Sequence, residues 1–191
     1  MKTIKRDTYE TQIEMALTLR GTGQCAVESP VGFLSHMLEL LGFHGQMDIR
    51  LRADGDVHVC DHHLVEDVGI CLGKLIAEEL GDKRGIRRYG SFRMPMDEAL
   101  VTCDLDLSGR PFLVFNVDFK RTLIGNFSTE MVEEFFRAVA FQAGITLHFN
   151  CLYGKNDHHK VEAVFKSFGR ALKEAVIKEG DAIPSSKGKL E

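Results

Sequence analysis

The chain has 191 residues, of which 44% are hydrophobic, and a net charge of -4. This length and composition are typical of a soluble globular protein with one large domain or two small ones. The mild acidity argues against a nucleic-acid-binding surface as the main function. No uncharged apolar stretch approaches the roughly 20 residues that a membrane-spanning helix needs. We therefore expect neither nucleic acid nor membrane as a partner.

The N-terminus and the cysteines indicate where the chain works. The segment Met1–Asp7 does not lead into the apolar region of a signal peptide. The five cysteines are odd in number and contain no Cys-x-x-Cys pair, which favours reduced thiols over a disulfide framework. We expect a cytoplasmic protein.

Strand and helix patterns alternate through the first half of the chain. Apolar residues alternate with more polar ones over 13–19 and over 47–51, which predicts two half-buried strands. Helical spacing predicts a helix over about 32–41 and a long one that ends at Gly81. Between the second strand and the long helix, Asp54-Gly55 predicts a hairpin turn into a strand containing Val57 and Val59.

The second half repeats this order. The patterns predict strands over 101–107, 112–119 and 146–153, with a turn at Gly109-Arg110-Pro111 after the first of them. They predict helices over about 129–142 and from Asp157 to about Glu179.

The repetition is also visible in the residues themselves. Asp61-His62-His63-Leu64-Val65-Glu66 returns as Asp157-His158-His159-Lys160-Val161-Glu162, and five of the six residues agree. The same offset of 96 positions, the separation of Asp61 and Asp157, matches Gly73 with Gly169. This predicts an α+β fold with two duplicated halves, about 1–90 and 91–184, in a single domain over 1–191. Each half should be a mostly antiparallel sheet with helices on one face.

The repeated histidines favour a pair of metal ions. Residues i and i+4 share a helix face, so His62 with Glu66, and His158 with Glu162, can each bind one ion. Adjacent residues diverge by about 100° on a helix, so the second histidine of each pair must face another ion or none. Imidazole and carboxylate ligands suit zinc, manganese, iron or nickel. The alternative is that Asp61 and Asp157 are helix N-caps beside hydrogen-bonded structural histidines.

A further pair of ligands is expected on the preceding helices. His36 lies 26 residues before His62, and Glu134 lies within two residues of the corresponding place in the second half. Glu134 and its neighbour Glu133 could equally form a solvated helix face.

An ordered set of motifs resembles the imidazoleglycerol-phosphate dehydratase family over nearly the whole chain. In the first half they are Ser35-His36-Met37-Leu38, Asp61-His62-His63-x-x-Glu66-Asp67 and Gly81-Asp82-Lys83-Arg84-Gly85-Ile86-Arg87-Arg88-Tyr89-Gly90. In the second half they are Pro95-Met96-Asp97-Glu98-Ala99, Asp106-Leu107-Ser108-Gly109-Arg110-Pro111, Ile145-Thr146-Leu147-His148, His158-His159-x-x-Glu162-Ala163 and Ile183-Pro184-Ser185-Ser186-Lys187-Gly188.

The resemblance implies a duplicated fold of the ribosomal protein S5 domain 2-like type and a hydro-lyase of histidine biosynthesis. It also implies two Mn²⁺ ions per active site, held between subunits, and a 24-subunit particle. One ion would be bound by His36, His63, His158 and Glu162, and the other by His62, Glu66, His159 and the residue at position 134. Familiar members of the family have a histidine there, whereas this chain has Glu134. Cys60 is a second departure, since aspartate is common at that position.

The implied substrate, imidazole glycerol phosphate, carries a phosphate and an imidazole. Fixed cations and hydroxyl donors suit a phosphate, and the resemblance assigns that role to Arg88, Arg110, Ser185, Ser186 and Lys187. Each arginine alone could equally serve solubility at the surface. His44 is expected to line the substrate pocket.

Dehydration to imidazole acetol phosphate removes a proton from C2 and a hydroxyl from C3. The C2 proton is not acidic, because no carbonyl group lies beside it. Metal ions on the ring nitrogens would act as Lewis acids. Glu10, at the family's substrate-contacting position, is the candidate base, with an exposed strand residue as the alternative reading. Glu66 and Glu162 are expected to move protons while they bind metal.

Two other functions fit some of these residues. A dinuclear metal-dependent hydrolase would usually hold bridged ions roughly 3.5–4 Å apart. A non-catalytic metal-storage or metal-sensing protein would have no use for a substrate-binding set such as Glu10, Arg88 and Arg110. Loss of substrate affinity on substitution of Arg88 would separate the dehydratase from a storage protein.

Overall fold

The computed structural model describes residues 1–188 and Leu190 of an α+β protein. The first half contains β1 (Lys2–Asp7), β2 (Thr11–Thr18), β3 (Cys25–Glu28), α1 (Gly32–Gly45), β4 (Asp48–Gly55) and α2 (His62–Leu80). The second half contains β5 (Tyr89–Met96), β6 (Ala99–Asp106), β7 (Phe112–Asn116), β8 (Leu123–Ile124), β9 (Phe127–Ser128), α3 (Met131–Ala143), β10 (Thr146–Tyr153) and α4 (Asp157–Ala175).

The two halves share one sheet topology, which confirms the predicted duplication. The first sheet has the order β1-β2-β4-β3 and the second the order β5-β6-β10-β7. In each sheet the first three strands are antiparallel and the last pair is parallel, as β3 with β4 and β7 with β10. The short β8–β9 hairpin has no counterpart in the first half. That the chain forms a single domain over 1–191 stays a prediction.

The halves are joined through their helices. Helix α2 packs on β2 and α4 packs on β5 and β6, while α1 contacts α4 and α2 contacts α3 across the middle. Two glycines of the repeated helices allow this close approach. A Cβ atom on Gly73 would lie 2.8 Å from the carbonyl oxygen of Val139, and one on Gly169 would lie 2.6 Å from that of Leu41. The structure therefore gives a physical reason for the repeated glycine.

The core follows the alternation read from the strands. Ile13, Met15 and Leu17 of β2 are buried with Ile49 and Leu51 of β4, as the period-2 pattern predicts. In the second half the core is aromatic instead. Its fully buried members include Phe135, Phe136, Phe149, Phe165 and Phe168, and Phe136 contacts the other four rings at centroid distances of 4.7–5.2 Å.

The predicted hairpin after Asp54-Gly55 is wrong. Strand β4 ends at Gly55, and Val57–Val59 form a turn that leads into α2. The reason is that β4 is an inner strand, paired with β2 on one side and β3 on the other. The β3 strand covers Ile49–Arg52 of β4, on the side where a following hairpin strand would have to pair.

Several element ends also differ from the prediction. Strand β7 ends at Asn116 rather than near 119, and α4 ends at Ala175 rather than near Glu179. After Ala175 the chain turns to meet the loop before β5, where Ile86 pairs with Lys178 in an isolated bridge. None of the helices in the described part of the chain is long and apolar enough to cross a lipid bilayer.

Candidate functional site

Three predicted metal ligands come together where α1 meets α4. Glu162 Oε1 lies 2.9 Å from His158 Nε2 and 3.5 Å from His36 Nε2. Across residues 1–188 and Leu190, these three form the one group of His, Cys, Asp or Glu whose ligand atoms all lie within 4.8 Å of one another. Two imidazole nitrogens and a carboxylate are a donor set that manganese and similar divalent ions accept. The residues therefore fit a metal ion.

Lys166 sets the charge of this cluster. Its Nζ donates to Glu162 Oε2 from the next turn of α4, and the Glu162 side chain is only 8% exposed. Burial would raise the pKa of Glu162, but the hydrogen bonds from Lys166 and His158 outweigh it and hold the pKa below its usual value. Glu162 is thus held in its ionised form, the form that can bind a cation. Sequence reasoning missed Lys166, although its spacing of four residues from Glu162 is a usable signal.

Helix α2, which carries the other His-His-x-x-Glu motif, has a less complete group of metal ligands. His62 Nε2 lies 3.5 Å from Glu66 Oε2, and both side chains are 45% exposed. Glu134 lies on α3, which packs against α2, and its carboxylate is 3.4 Å from Nε of Arg137. The chain thus presents His62 and Glu66 together on one face, as the i, i+4 spacing predicts.

The second histidine of each pair contacts a different carboxylate from the first. His63 Nδ1 lies 3.1 Å from Asp56 Oδ2, and His159 Nδ1 lies 2.7 Å from Glu98 Oε2. Neither His63 nor His159 belongs to the three-residue group on α1 and α4 within the described part of this chain. A crossed arrangement of the two ions would therefore need a second copy of the chain to supply the missing histidines.

Asp61 occupies the N-cap position of α2, as expected, although its carboxylate makes no capping hydrogen bond. The N-cap role expected for Asp157 is wrong, because Asn156 is the N-cap of α4 and accepts from the His158 backbone N–H. Asp61 accepts hydrogen bonds from the backbone N–H and hydroxyl of Ser128 in β9.

Asp157, at the start of α4, binds the same segment between β7 and α3. It accepts from the backbone N–H groups of Lys120 and Arg121 and from Nζ of Lys160, with which it forms a buried ion pair. Burial would raise its pKa, but these donors outweigh it and lower the pKa. The two aspartates thus attach the segment before α3 to both histidine-bearing helices.

The residues expected to bind phosphate line one pocket of about 240 Å³. It is bounded by Arg88, Arg110, Ser185, Ser186 and Lys187, together with Tyr89, Ser108 and Leu190. The guanidinium of Arg88 is only 11% exposed and forms a bidentate pair with Asp106, with Nε–Oδ1 and Nη2–Oδ2 distances of 2.6 and 3.0 Å.

Arg88 also holds the C-terminal segment that carries the serines. Its Nη1 donates to the carbonyl oxygen of Pro184 at 2.9 Å. Arg110, at 55% exposure, lies 3.8 Å from Asp106 and is the more available of the two arginines. The pocket thus combines cations and hydroxyl groups suited to a small anion.

Glu10 and His44 are the two remaining residues that the sequence assigns to the substrate. Glu10 is exposed in the turn between β1 and β2, with its carboxylate 3.8 Å from His63 Nε2. His44 is half-buried near the end of α1, where burial, together with the positive charges of Lys166 and Arg170, lowers its pKa. His44 is therefore neutral at pH 7 and can accept or donate a hydrogen bond there.

Comparison with known proteins identifies the family. A family model described as imidazoleglycerol-phosphate dehydratase matches residues 29–172. The chain is 59% identical over 196 residues to imidazoleglycerol-phosphate dehydratase of Lactococcus lactis subsp. cremoris strain SK11, covering 98% of this chain and 96% of that protein. It is 55% identical over 188 residues to the Clostridium botulinum protein of the same name from strain Alaska E43, with the same two coverages.

Solved structures agree with this assignment. The crystal structure of imidazoleglycerol-phosphate dehydratase from Staphylococcus aureus subsp. aureus N315 is 39% identical, with a TM-score of 0.82 over 93% of this chain and 99% of that one. IGPD from Pyrococcus furiosus, in complex with (S)-C348, is 35% identical, with a TM-score of 0.85 over 98% and 100% of the two chains.

The duplicated α+β fold and the two His-His-x-x-Glu helices thus define a lyase built from an internal repeat. The chain belongs to the imidazoleglycerol-phosphate dehydratase family, and its substrate is accordingly a small phosphorylated imidazole compound. The expectation of a different dinuclear hydrolase or a non-catalytic metal-binding protein is set aside by this membership.

Proposed function

We propose that the chain is a dimanganese hydro-lyase that dehydrates imidazole glycerol phosphate to imidazole acetol phosphate in histidine biosynthesis. The observation that carries the proposal is the convergence of His36, His158 and Glu162 within a fold of this family. Two imidazoles and an ionised carboxylate suit Mn²⁺. The proposed ligands of this ion are completed by His63 from a second copy of the chain.

The other ion is assigned to His62, Glu66, His159 and Glu134. His62 and Glu66 lie 3.5 Å apart on α2, and α3 carries Glu134 against that helix. His159 would again come from a second copy, which supports assembly into a larger particle, here proposed to have 24 subunits. When bound, two such ions would supply Lewis acidity to the imidazole of the substrate.

The chain's own residues are proposed to bind the phosphate and to move protons. Arg110, Ser185, Ser186 and Lys187 would bind the phosphate in the 240 Å³ pocket, with Arg88 holding the C-terminal segment in place. His44 would contact the substrate as a neutral imidazole.

Glu10 is the proposed base for the proton on C2. Loss of that proton and of the C3 hydroxyl gives water and an enol, and the enol becomes the ketone of the product. The Glu10 carboxylate is exposed and next to His63, so a substrate can reach it. Glu66 and Glu162 are proposed to carry protons to and from the substrate while they bind metal.

The cytoplasm is the proposed location. All five cysteines are free in the structure, which supports a reducing compartment, because paired thiols are common in oxidising ones.

The decisive experiment is to strip the purified protein of metal, add Mn²⁺ and follow formation of imidazole acetol phosphate. We expect no product from the stripped protein and full activity at two ions per chain. Arg110→Ala should keep the bound manganese and raise KM, because the arginine lies in the phosphate pocket. Absence of product from the manganese-loaded protein would overturn the proposed reaction.

A further inference from the structure

The imidazole of His159 is held from one side by a carboxylate that the proposed reaction does not use. Its Nδ1 lies 2.7 Å from Oε2 of Glu98, in the two-residue turn between β5 and β6. An ionised carboxylate only accepts hydrogen bonds, so Nδ1 must carry the proton. The lone pair of the neutral imidazole is then on Nε2. The neighbouring Asp97 lies 3.6 Å from Nε2, which is too far for a hydrogen bond that would occupy this lone pair.

Glu98 is itself fixed by the backbone. Its Oε1 accepts from the N–H groups of Lys155, at 2.9 Å, and Asn156, at 2.6 Å, in the turn that precedes α4. One oxygen thus holds the turn and the other holds the histidine that follows it.

The first half contains a similar arrangement around His63, but the carboxylate on Nδ1 comes from a different loop, because Asp56 follows β4 whereas Glu98 lies in the β5–β6 turn. Asp56 lies 3.1–3.2 Å from Nδ1 with both of its oxygens, and Glu10 lies 3.8 Å from Nε2. In both halves, therefore, one acidic side chain holds Nδ1 while Nε2 has no hydrogen-bond partner among the described residues. A geometry that returns in both halves is better explained by a shared task than by chance packing.

We infer that Glu98 is a positioning residue that fixes His159 as the Nδ1–H tautomer and thereby leaves Nε2 free to bind a divalent cation, and that Asp56 does the same for His63. Histidines that bind metals commonly donate their other ring N–H to a carboxylate, which orients the ring and raises its basicity. The inference rests on the proposed metal-dependent function, since it assumes that His159 binds an ion.

Glu98→Gln tests the positioning role, because glutamine has nearly the same size and shape as glutamate. The amide oxygen can still accept from Lys155 and Asn156, but the amide N–H₂ would then face Nδ1 and donate to it. The proton of the neutral His159 would move to Nε2 and block the proposed ligand atom. We expect Glu98→Gln to fold and assemble normally, yet to bind Mn²⁺ about 10–100-fold more weakly at the affected ion.

Asp48→Asn is the matched control. Asp48 also accepts backbone N–H groups, from Thr22, Gly23 and Gln24, and it has no histidine among its partners. The same change from carboxylate to amide should leave Mn²⁺ affinity unaltered. Affinity and stoichiometry are measured by calorimetric titration of the metal-stripped full chain with Mn²⁺ alone, with the melting temperature of each stripped variant recorded alongside.

A double-mutant cycle separates positioning from a general effect on the fold. In a His159→Ala background, Glu98→Gln should cause no further loss of Mn²⁺ affinity. An equal loss in both backgrounds, or unchanged affinity in Glu98→Gln alone, would overturn the inference but leave the proposed function standing. If His159→Ala itself left affinity and stoichiometry unchanged, the proposed ligand role of His159 would fail, and the inference with it.

Discussion

His36 and Glu134 occupy equivalent positions in the two halves of the fold. Each lies ten residues before the left-handed residue that ends its helix, Gln46 after α1 and Gly144 after α3. The helix that carries His36 packs on α4, and the helix that carries Glu134 packs on α2. The chain therefore offers an imidazole to one proposed ion and a carboxylate to the other, so the two ions should differ in metal preference.

Replacing Glu134 should change that preference without removing the other ion. A carboxylate favours hard ions such as Mn²⁺, whereas imidazole suits Zn²⁺ as well. We expect Glu134→Ala to retain one tightly bound Mn²⁺ per chain instead of two. Glu134→His should retain two metal sites, but a larger share of the second site should be occupied by Zn²⁺. Elemental analysis after equilibration with both metals measures this.

Glu133 provides the control for this experiment. It is the neighbouring acidic residue, and it pairs with Arg137 at 2.5 Å. Glu133→Ala should leave both the number and the identity of the bound ions as they are. If Glu134→Ala also kept two Mn²⁺ ions, Glu134 would not be a ligand.

The sequence predicts most of the helices and strands on which the site is built, because each has an apolar periodicity within its own residues. Strand β10 has the predicted bounds, and α2 ends at Leu80, immediately before the predicted stop at Gly81. Their apolar periodicity is strong because both lie against the core. Strands β1 and β5 were missed because they are edge strands with charged or irregular sequences, and β5 contains both Gly90 and Pro95.

The side-chain contacts of the site join residues that are far apart in the sequence. Local sequence patterns therefore could not predict them. Asp61 binds Ser128, which is 67 positions away, so its sequence context indicated only a helix cap. Glu98 is the counterpart of Glu10 at an offset of 88 positions, while the His-His motif repeats at 96. The β8–β9 hairpin lies between Glu98 and the second His-His motif, and its extra residues change the offset between the halves. The equivalence of Glu10 and Glu98 therefore becomes visible only when the β1–β2 and β5–β6 turns are compared in the structure.

Glu10→Gln should lower turnover strongly without releasing metal. If Glu10 removes the C2 proton, loss of its basicity should lower kcat by about 100-fold or more, the usual contribution of a general base. Manganese content should stay at two ions per chain, because Glu10 is not a proposed ligand. Steady-state kinetics and elemental analysis on the same preparation measure both quantities.

Glu14→Gln serves as the comparison for Glu10. Glu14 is an exposed carboxylate on β2, 64% exposed and paired with Lys5 at 3.2 Å. Its substitution should leave kcat within a factor of two or so, as expected for a surface change with little effect on stability. Full turnover in Glu10→Gln with unchanged metal would show that another group is the base.

Gly169→Ala should disturb both stability and the metal cluster. The added Cβ would lie 2.6 Å from the Leu41 carbonyl oxygen and 3.1 Å from the Gly45 amide nitrogen, so α1 and α4 must separate. Overpacking of this kind lowers the free energy of unfolding by about 1–3 kcal/mol. Because His36 and His158 lie on the two helices being separated, Mn²⁺ binding should weaken as well.

Gly32→Ala is the corresponding control within α1. A Cβ on Gly32 meets no heavy atom within 4 Å, so this substitution should change the free energy of unfolding by no more than about 0.5 kcal/mol. Denaturant titration of the metal-free forms gives the two free energies. Equal stability of Gly169→Ala and Gly32→Ala would show that the helices tolerate the extra methyl group.

The cysteines should differ sharply in their reactivity towards alkylating reagents. Cys60 is exposed beside the start of α2, whereas burial raises the pKa of Cys71 to about 11 and that of Cys103 well above its usual value. The thiolate is the reactive form, so at pH 8 the two buried cysteines are protonated as well as shielded. We expect iodoacetamide to modify Cys60 first, and Cys71 and Cys103 only after the chain unfolds. Peptide mapping by mass spectrometry measures the order, and Cys60→Ser should remove the fast phase. Rapid modification of Cys71 in the folded protein would mean that α2 opens under native conditions, which would contradict its close packing against α3.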